Sequence, residues 1–217
     1  MSLTPDFHVC PGILELESKI GVPENFFKAL LDADDWSFII KLHALFEAAC
    51  THLLLFHFKE PDLSNVFNRL ELSNKTTGKI AFLGTLELLN KDNRRFISTL
   101  SELRNSLVHD VRNAQYSLSS MVKTLDATEL RNLAISFSPY ETHIRKFPYD
   151  PKVKLGYKED LQNQAKVESV IQRFFDDPKL HIWIGAYQVL GSIVDMYGYS
   201  DFKQWSKAQK HFSDEAL

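Results

Sequence analysis

The sequence predicts an all-α bundle with a helical extension at its C-terminal end. Three observations carry that prediction. Apolar residues recur at intervals of three and four along several long stretches, the spacing of one helix face. Phe is frequent at 16 residues and Gly scarce at 8, a balance that suits packed helices better than turn-rich sheets. No segment alternates apolar and polar residues cleanly enough for a strand.

The elements follow in order. Residues 1–22 hold Pro5, Pro11, Gly12 and Gly21 and read as an irregular arm with room for one helical turn. Pro23 suits the first position of a helix through Leu31, since the first turn needs no donor there. Asp34 or Asp35 caps the next helix, residues 36–58, where Leu42, Leu45, Phe46, Ala49, Leu53 and Phe56 form one apolar stripe. Glu60-Pro61-Asp62 ends it and opens a short helix through Leu70. A helix over about 76–89 contains Gly78 and Gly84, which lower its propensity. Asp92 is the expected cap of a helix over 93–109, with Ile97, Leu100, Leu103 and Leu107 on one face. A helix over about 114–125 follows, and Asp126 caps another reaching Ile135. Residues 136–156 hold Pro139, Pro148 and Pro151 and read as a long loop. A polar helix over 158–175, an apolar one over 179–197 and a short one over 201–212 complete the chain. The expected organisation is an N-terminal arm and short helix (1–34), a bundle (35–135), a basic and aromatic loop (136–157), and C-terminal helices packing on the bundle (158–217).

A chain of 217 residues fits one domain with an extension and is long enough to bury a sizeable core. Its formal net charge of −3 excludes a generic nucleic-acid coating protein, but not an enzyme touching RNA at one small cleft. Cys10 and Cys50 lie far apart in sequence and allow one disulfide but not a framework. No basic region followed by an apolar run marks a signal peptide, and His52 and His57 interrupt the Leu53–Phe56 run well below the length of a membrane span. The expectation is a reduced, cytoplasmic protein with no membrane contact.

The most informative stretch is Arg104-Asn105-Ser106-Leu107-Val108-His109, near the end of a predicted helix. Arginine is a permanent cation whose planar fork suits a phosphate. Histidine is the side chain best suited to moving a proton near neutral pH. Cleavage of a phosphodiester by its own 2′-hydroxyl needs that proton transfer together with stabilised charge on the phosphoryl oxygens. The same residues also suit a plain C-terminal turn with a cation placed favourably in the helix dipole. Five residues on an ideal helix rotate by about 140°, so Arg104 and His109 do not make one compact site on a straight helix. Either the helix loosens near Val108 or two copies meet across a dimer.

The order of features around the motif is specific. A long helix carries Glu47 within Phe46-Glu47-Ala48-Ala49-Cys50; Lys79-Ile80-Ala81-Phe82-Leu83-Gly84 follows; then Leu103-Arg104-Asn105 runs through His109-Asp110. Over roughly residues 35–113 this resembles the HEPN superfamily of helical-bundle proteins, in the branch related to the mannitol operon repressor. The resemblance implies a HEPN-like bundle that pairs as a homodimer, with two motifs lining one cleft. Arg104 would orient phosphate, His109 would act as general acid or base and Asn105 would position the RNA or the histidine. Glu47 and Asp110 would be auxiliary, with Glu47 approaching Arg104. It further implies a toxin or phage-defence role, restrained by a cognate antitoxin or a larger defence complex. The alternative that the repressor branch implies is a non-catalytic regulatory or protein-interaction module. No helix-turn-helix with a basic recognition helix is evident for either. Some members carry a tyrosine two residues after the histidine as a target of nucleotide transfer; here that position is Val111, and Tyr116 lies too far along, so that modification is not expected.

Two further groups merit weighing. His43, Glu47, Cys50 and His57 lie on one stripe of the long helix at spacings of four, three and seven. Zinc sites rarely draw all ligands from one straight helix, so a polar seam is expected and no metal or other cofactor. The loop around residues 143–158 interleaves Arg145, Lys146, Lys152 and Lys154 with Phe147, Tyr149 and Tyr157, a mixture that suits RNA phosphates and stacked bases, or a loop docking its aromatics on the bundle. Gly-rich phosphate loops, nucleophile elbows and Cys-x-x-Cys pairs are absent.

Overall fold

A computed structural model describes residues 8–109, 115–139 and 157–214. Among these the secondary structure is helical, without a strand, as the sequence predicts. The α-helices are α1 (Pro11–Ile20), α2 (Phe26–Ala29), α3 (Asp35–Phe58), α4 (Ser64–Phe67), α5 (Lys79–Thr85), α6 (Lys91–Val108), α7 (Leu118–Val122), α8 (Ala127–Ser136), α9 (Tyr157–Asp176) and α10 (Pro178–Asp214).

The residues at the helix ends explain most of these boundaries. Residues 11–20, read from sequence as part of an irregular arm, form a ten-residue helix. Pro11 occupies its start, Gly21 follows its end at φ 75°, and the Val22 N–H bonds back to the Glu17 carbonyl at 3.1 Å. The residues that look like breakers are therefore its start and stop signals. Asp34 caps α3, its Oδ1 accepting from the Ser37 N–H at 2.9 Å. The hydrogen bonds from Ser37 hold that carboxyl below its usual range. Asp126 and Glu129 form a reciprocal capping box on α8. Helix α6 starts at Lys91, so Asp92 lies inside its first turn, buried and 3.6 Å from Arg95, and is not the cap.

Several elements depart from the sequence prediction. Helix α5 is half the predicted length. Asn74 Oδ1 accepts from the N–H groups of Thr76 and Thr77 at 3.0 Å and so delays its start. Glu87, at φ 59°, turns the chain after its end. Helix α7 spans five residues of the twelve predicted, opened by the Ser117 side chain. The two C-terminal helices are one continuous helix, α10.

The chain forms two units, and α3 and α10 each contribute to both. In its described residues the first comprises Phe27–His43 and Lys91–Val189. There α9 packs on α8 and α7, and α6 on α8. Its core is aromatic: Phe27 stacks on Trp183 with centroids 4.6 Å apart, and the Trp183 indole donates to the Phe27 carbonyl at 2.9 Å. Phe96 meets Phe137 edge-on at 5.3 Å, and Phe137 meets Phe174 at 6.0 Å. Each of these buried rings contributes roughly 1.5–3 kcal/mol.

The second unit comprises His8–Phe26, Ala44–Asn90 and the chain from Leu190. Its core holds Ile13, Leu16, Phe46, Leu53, Leu54, Leu83, Leu190 and Ile193. A polar seam joins α3 to α10 within it. His52 Nδ1 lies 2.8 Å from the Tyr197 hydroxyl, and His57 Nδ1 lies 2.7 Å from the Ser200 hydroxyl. Two residues of the His43, Glu47, Cys50 and His57 stripe thus serve this unit: His57 bonds Ser200, and the Cys50 thiol is fully buried and pushed up to about 12 by desolvation. Among the described residues no three His, Cys, Asp or Glu side chains gather to hold a metal ion.

Helix α3 is more apolar than its histidine-interrupted sequence suggests, with an 18-residue window of mean hydropathy 1.5. By length and composition it alone among the described helices is able to cross a membrane, yet 56% of that window is buried inside the protein. That burial suits a core helix.

Candidate functional site

Helix α6 carries the motif on its last turn. Phe96, Ile97, Leu100 and Leu107 are buried and fix which way the helix faces. The register leaves Arg104 half-exposed and Asn105, Ser106, Val108 and His109 exposed. The backbone stays α-helical through Val108, and His109 sits in the turn just after. The helix thus ends one residue before His109, and the ideal-helix rotation of about 140° from Arg104 does not strictly apply to it.

Local bonds stiffen this turn. The Arg104 guanidinium donates to Asn105 Oδ1 at 3.1 Å, which limits the freedom of a long side chain. The Ser106 hydroxyl donates to the Leu103 carbonyl at 2.7 Å. The Trp36 indole lies 3.5 Å from the Leu107 carbonyl, one of the acceptors that a helix end leaves without an internal partner. At the base of the following segment, Leu118 N–H donates to Asp35 Oδ2 at 2.8 Å, tying α7 to the start of α3. Tyr116 lies close by in sequence; its hydroxyl is buried and burial, with Asp35 adding to it, raises the phenol well above its ordinary value. It stays protonated at any physiological pH.

Glu47, expected from the resemblance to be auxiliary, belongs to the second unit. Its Oε1 accepts from Lys79 Nζ at 2.8 Å. The Lys79 side chain is 1% exposed and that of Glu47 41%. Sequence analysis quoted Lys79 only as part of a helix and missed its burial; no local pattern announces a partner 32 residues away. Asp110, Arg145, Lys146, Lys152 and Lys154 lie outside the described residues.

Sequence reasoning also missed a serine and a histidine in the first unit. Ser138 Oγ lies 2.8 Å from His181 Nε2, beside a pocket of about 210 Å³ walled by Phe137, Leu180 and Ile184. The same nitrogen is 3.3 Å from the Ala134 carbonyl, in the last turn of α8. A ring nitrogen shared between a helix-end carbonyl and a buried hydroxyl is a C-terminal cap. It is poorly set up as the base of a nucleophilic pair, since Nε2 must accept, not donate, to activate a hydroxyl.

No family model, no curated protein and no solved structure matches this chain.

Proposed function

We propose that this protein is a metal-independent, HEPN-like endoribonuclease that acts as a toxin or defence effector in a reducing, cytoplasmic compartment. The observation that carries the reading is the last turn of α6: an accessible arginine steadied by Asn105, with an accessible histidine just beyond the helix end. Arg104 would clamp the phosphate, Asn105 would hold the clamp, and His109 would move the proton between the 2′-hydroxyl, the leaving 5′-oxygen and solvent. Because five residues of an ideal helix rotate by about 140°, Arg104 and His109 would diverge, so that one copy would supply half of a site and a homodimer would complete it. A cognate antitoxin or larger complex would restrain the activity.

The divergence of the two side chains also suits the second reading, a non-catalytic regulatory or protein-interaction module. Growth on induction separates the two. Wild-type protein is expected to arrest growth and fragment total RNA, with His109→Ala and Arg104→Ala abolishing both effects. Equal growth and intact RNA in all three cultures, with folded protein in each, would reject the ribonuclease and leave the interaction module.

A further inference from the structure

A second site lies in the second unit, in an open groove of about 360 Å³. That is the low end of the range for small-molecule sites and suits a group the size of a nucleobase. Ala44, Ala48 and Leu55 of α3 give it an apolar wall, while Glu47, His52 and Lys79 give it polar groups.

Glu47 and Lys79 are arranged unusually for a structural ion pair. An ammonium carries three N–H donors, and the described residues give Lys79 one acceptor, Glu47 Oε1 at 2.8 Å. Its side chain is 1% exposed, so the remaining donors have little bulk water to turn to. A carboxylate has about four lone-pair sites, and the Glu47 side chain is 41% exposed. Such a pair seldom stabilises a fold better than apolar residues of similar volume. It does present, on the wall of one groove, an exposed carboxylate whose two oxygens are held in place by a buried cation.

The complement of two adjacent acceptors is an edge with two adjacent donors. Guanine has that edge in N1–H and the N2 amino group. Adenine and cytosine offer a single amino donor beside a ring-nitrogen acceptor and match one of the two positions. His52 lines the same groove, and burial, with Lys19 adding to it, lowers its proton affinity, which keeps the imidazole neutral and suited to stacking.

We propose that this groove binds a guanine base, with the Glu47 carboxylate, held in place by Lys79, accepting from N1–H and the N2 amino group. The inference stands apart from the ribonuclease reading, because binding is measured without cleavage and without Arg104 or His109.

The test is isothermal titration of the full chain with GMP, AMP, inorganic phosphate, and two short uridine-rich RNAs, one containing a single guanine. Saturable binding of GMP or of the guanine-bearing RNA is expected, at least about tenfold tighter than the adenine or all-uridine counterpart, the equivalent of one charge-assisted hydrogen bond. GMP alone identifies the free nucleotide as ligand, and the RNA alone identifies guanine within a strand. Glu47→Gln is expected to weaken binding about tenfold with circular dichroism and Tm retained. Lys79→Met, which fills the same space without a charge, is expected to do likewise and serves if the first variant unfolds. Absence of binding to folded wild-type protein at millimolar ligand, or equal binding of GMP, AMP and phosphate, would overturn the proposal.

Discussion

At the scale of single residues, the clearest consequence of the structure concerns two glycines in the same helix. A Cβ built on Gly185 of α10 would lie 2.1 Å from the Phe137 carbonyl oxygen and 2.8 Å from the Phe96 ring. The oxygen belongs to backbone and has no rotamer to escape into. Gly185→Ala is therefore expected to destabilise the protein by about 1–3 kcal/mol through overpacking. A Cβ at Gly191 meets nothing within 4 Å. Gly191→Ala is expected to stabilise it by about 0.5–1 kcal/mol, the ordinary gain from replacing glycine inside a helix. Urea denaturation of both variants checks the pair; similar effects from the two substitutions would contradict the packing described here. From sequence the two residues are indistinguishable, each a glycine in an apolar helix. Lys79 teaches the same lesson, since a lysine at the start of a short helix reads as a surface residue until Glu47 and the burial around it are known.

At the scale of elements, the α3–α10 seam makes the second unit sensitive to pH. Burial and Lys19 lower the pKa of His52, whose Nδ1 lies 2.8 Å from the Tyr197 hydroxyl. Burial also holds the Tyr197 phenol protonated by raising its pKa. A histidine whose folded pKa lies below its unfolded value binds fewer protons in the folded state. Its stabilising effect is complete above the unfolded value of 6.5 and is lost as the pH falls through the folded pKa. Melting temperature is thus expected to fall between pH 7 and pH 5, and to fall less in His52→Gln; an unchanged slope in that variant would assign the sensitivity elsewhere. Long helices were legible in the sequence, α3 by its length and apolar content and α6 by its periodicity, as were the caps Asp34 and Asp126. Elements ended by turns were not: the Asn74 turn shortens α5, and the Pro11 and Gly21 punctuation hides α1. The fusion of the last two predicted helices into α10 rests on contacts such as His57 with Ser200, 143 residues away, which no local window contains. Within the candidate site, the exposure of Arg104 and His109 followed from helical register, while the bond steadying Arg104 required the coordinates.

At the scale of the whole molecule, the proposed ribonuclease activity would belong either to one chain or to two. A formal net charge of −3 gives RNA little general attraction to the surface, so catalysis would depend on a local site. If each active centre takes Arg104 from one protomer and His109 from its partner, two inactive variants complement each other. In a dimer of Arg104→Ala with His109→Ala, one centre lacks both groups and the other has both. Random pairing of equal amounts makes about half of the dimers mixed, each with one intact centre of two, so the mixture should recover about a quarter of wild-type cleavage. If both groups come from the same chain, every centre in the mixture lacks one of them and no activity returns. Mixing the purified variants, with sedimentation to verify exchange of protomers, distinguishes the two arrangements. Recovery would also require the rate to rise more steeply than linearly with protein concentration near the dimer dissociation constant, because only paired chains then carry a complete site. A linear dependence with no recovery, in protein that cleaves RNA as wild type, would mean that the segment following α6 brings His109 to Arg104 within one chain.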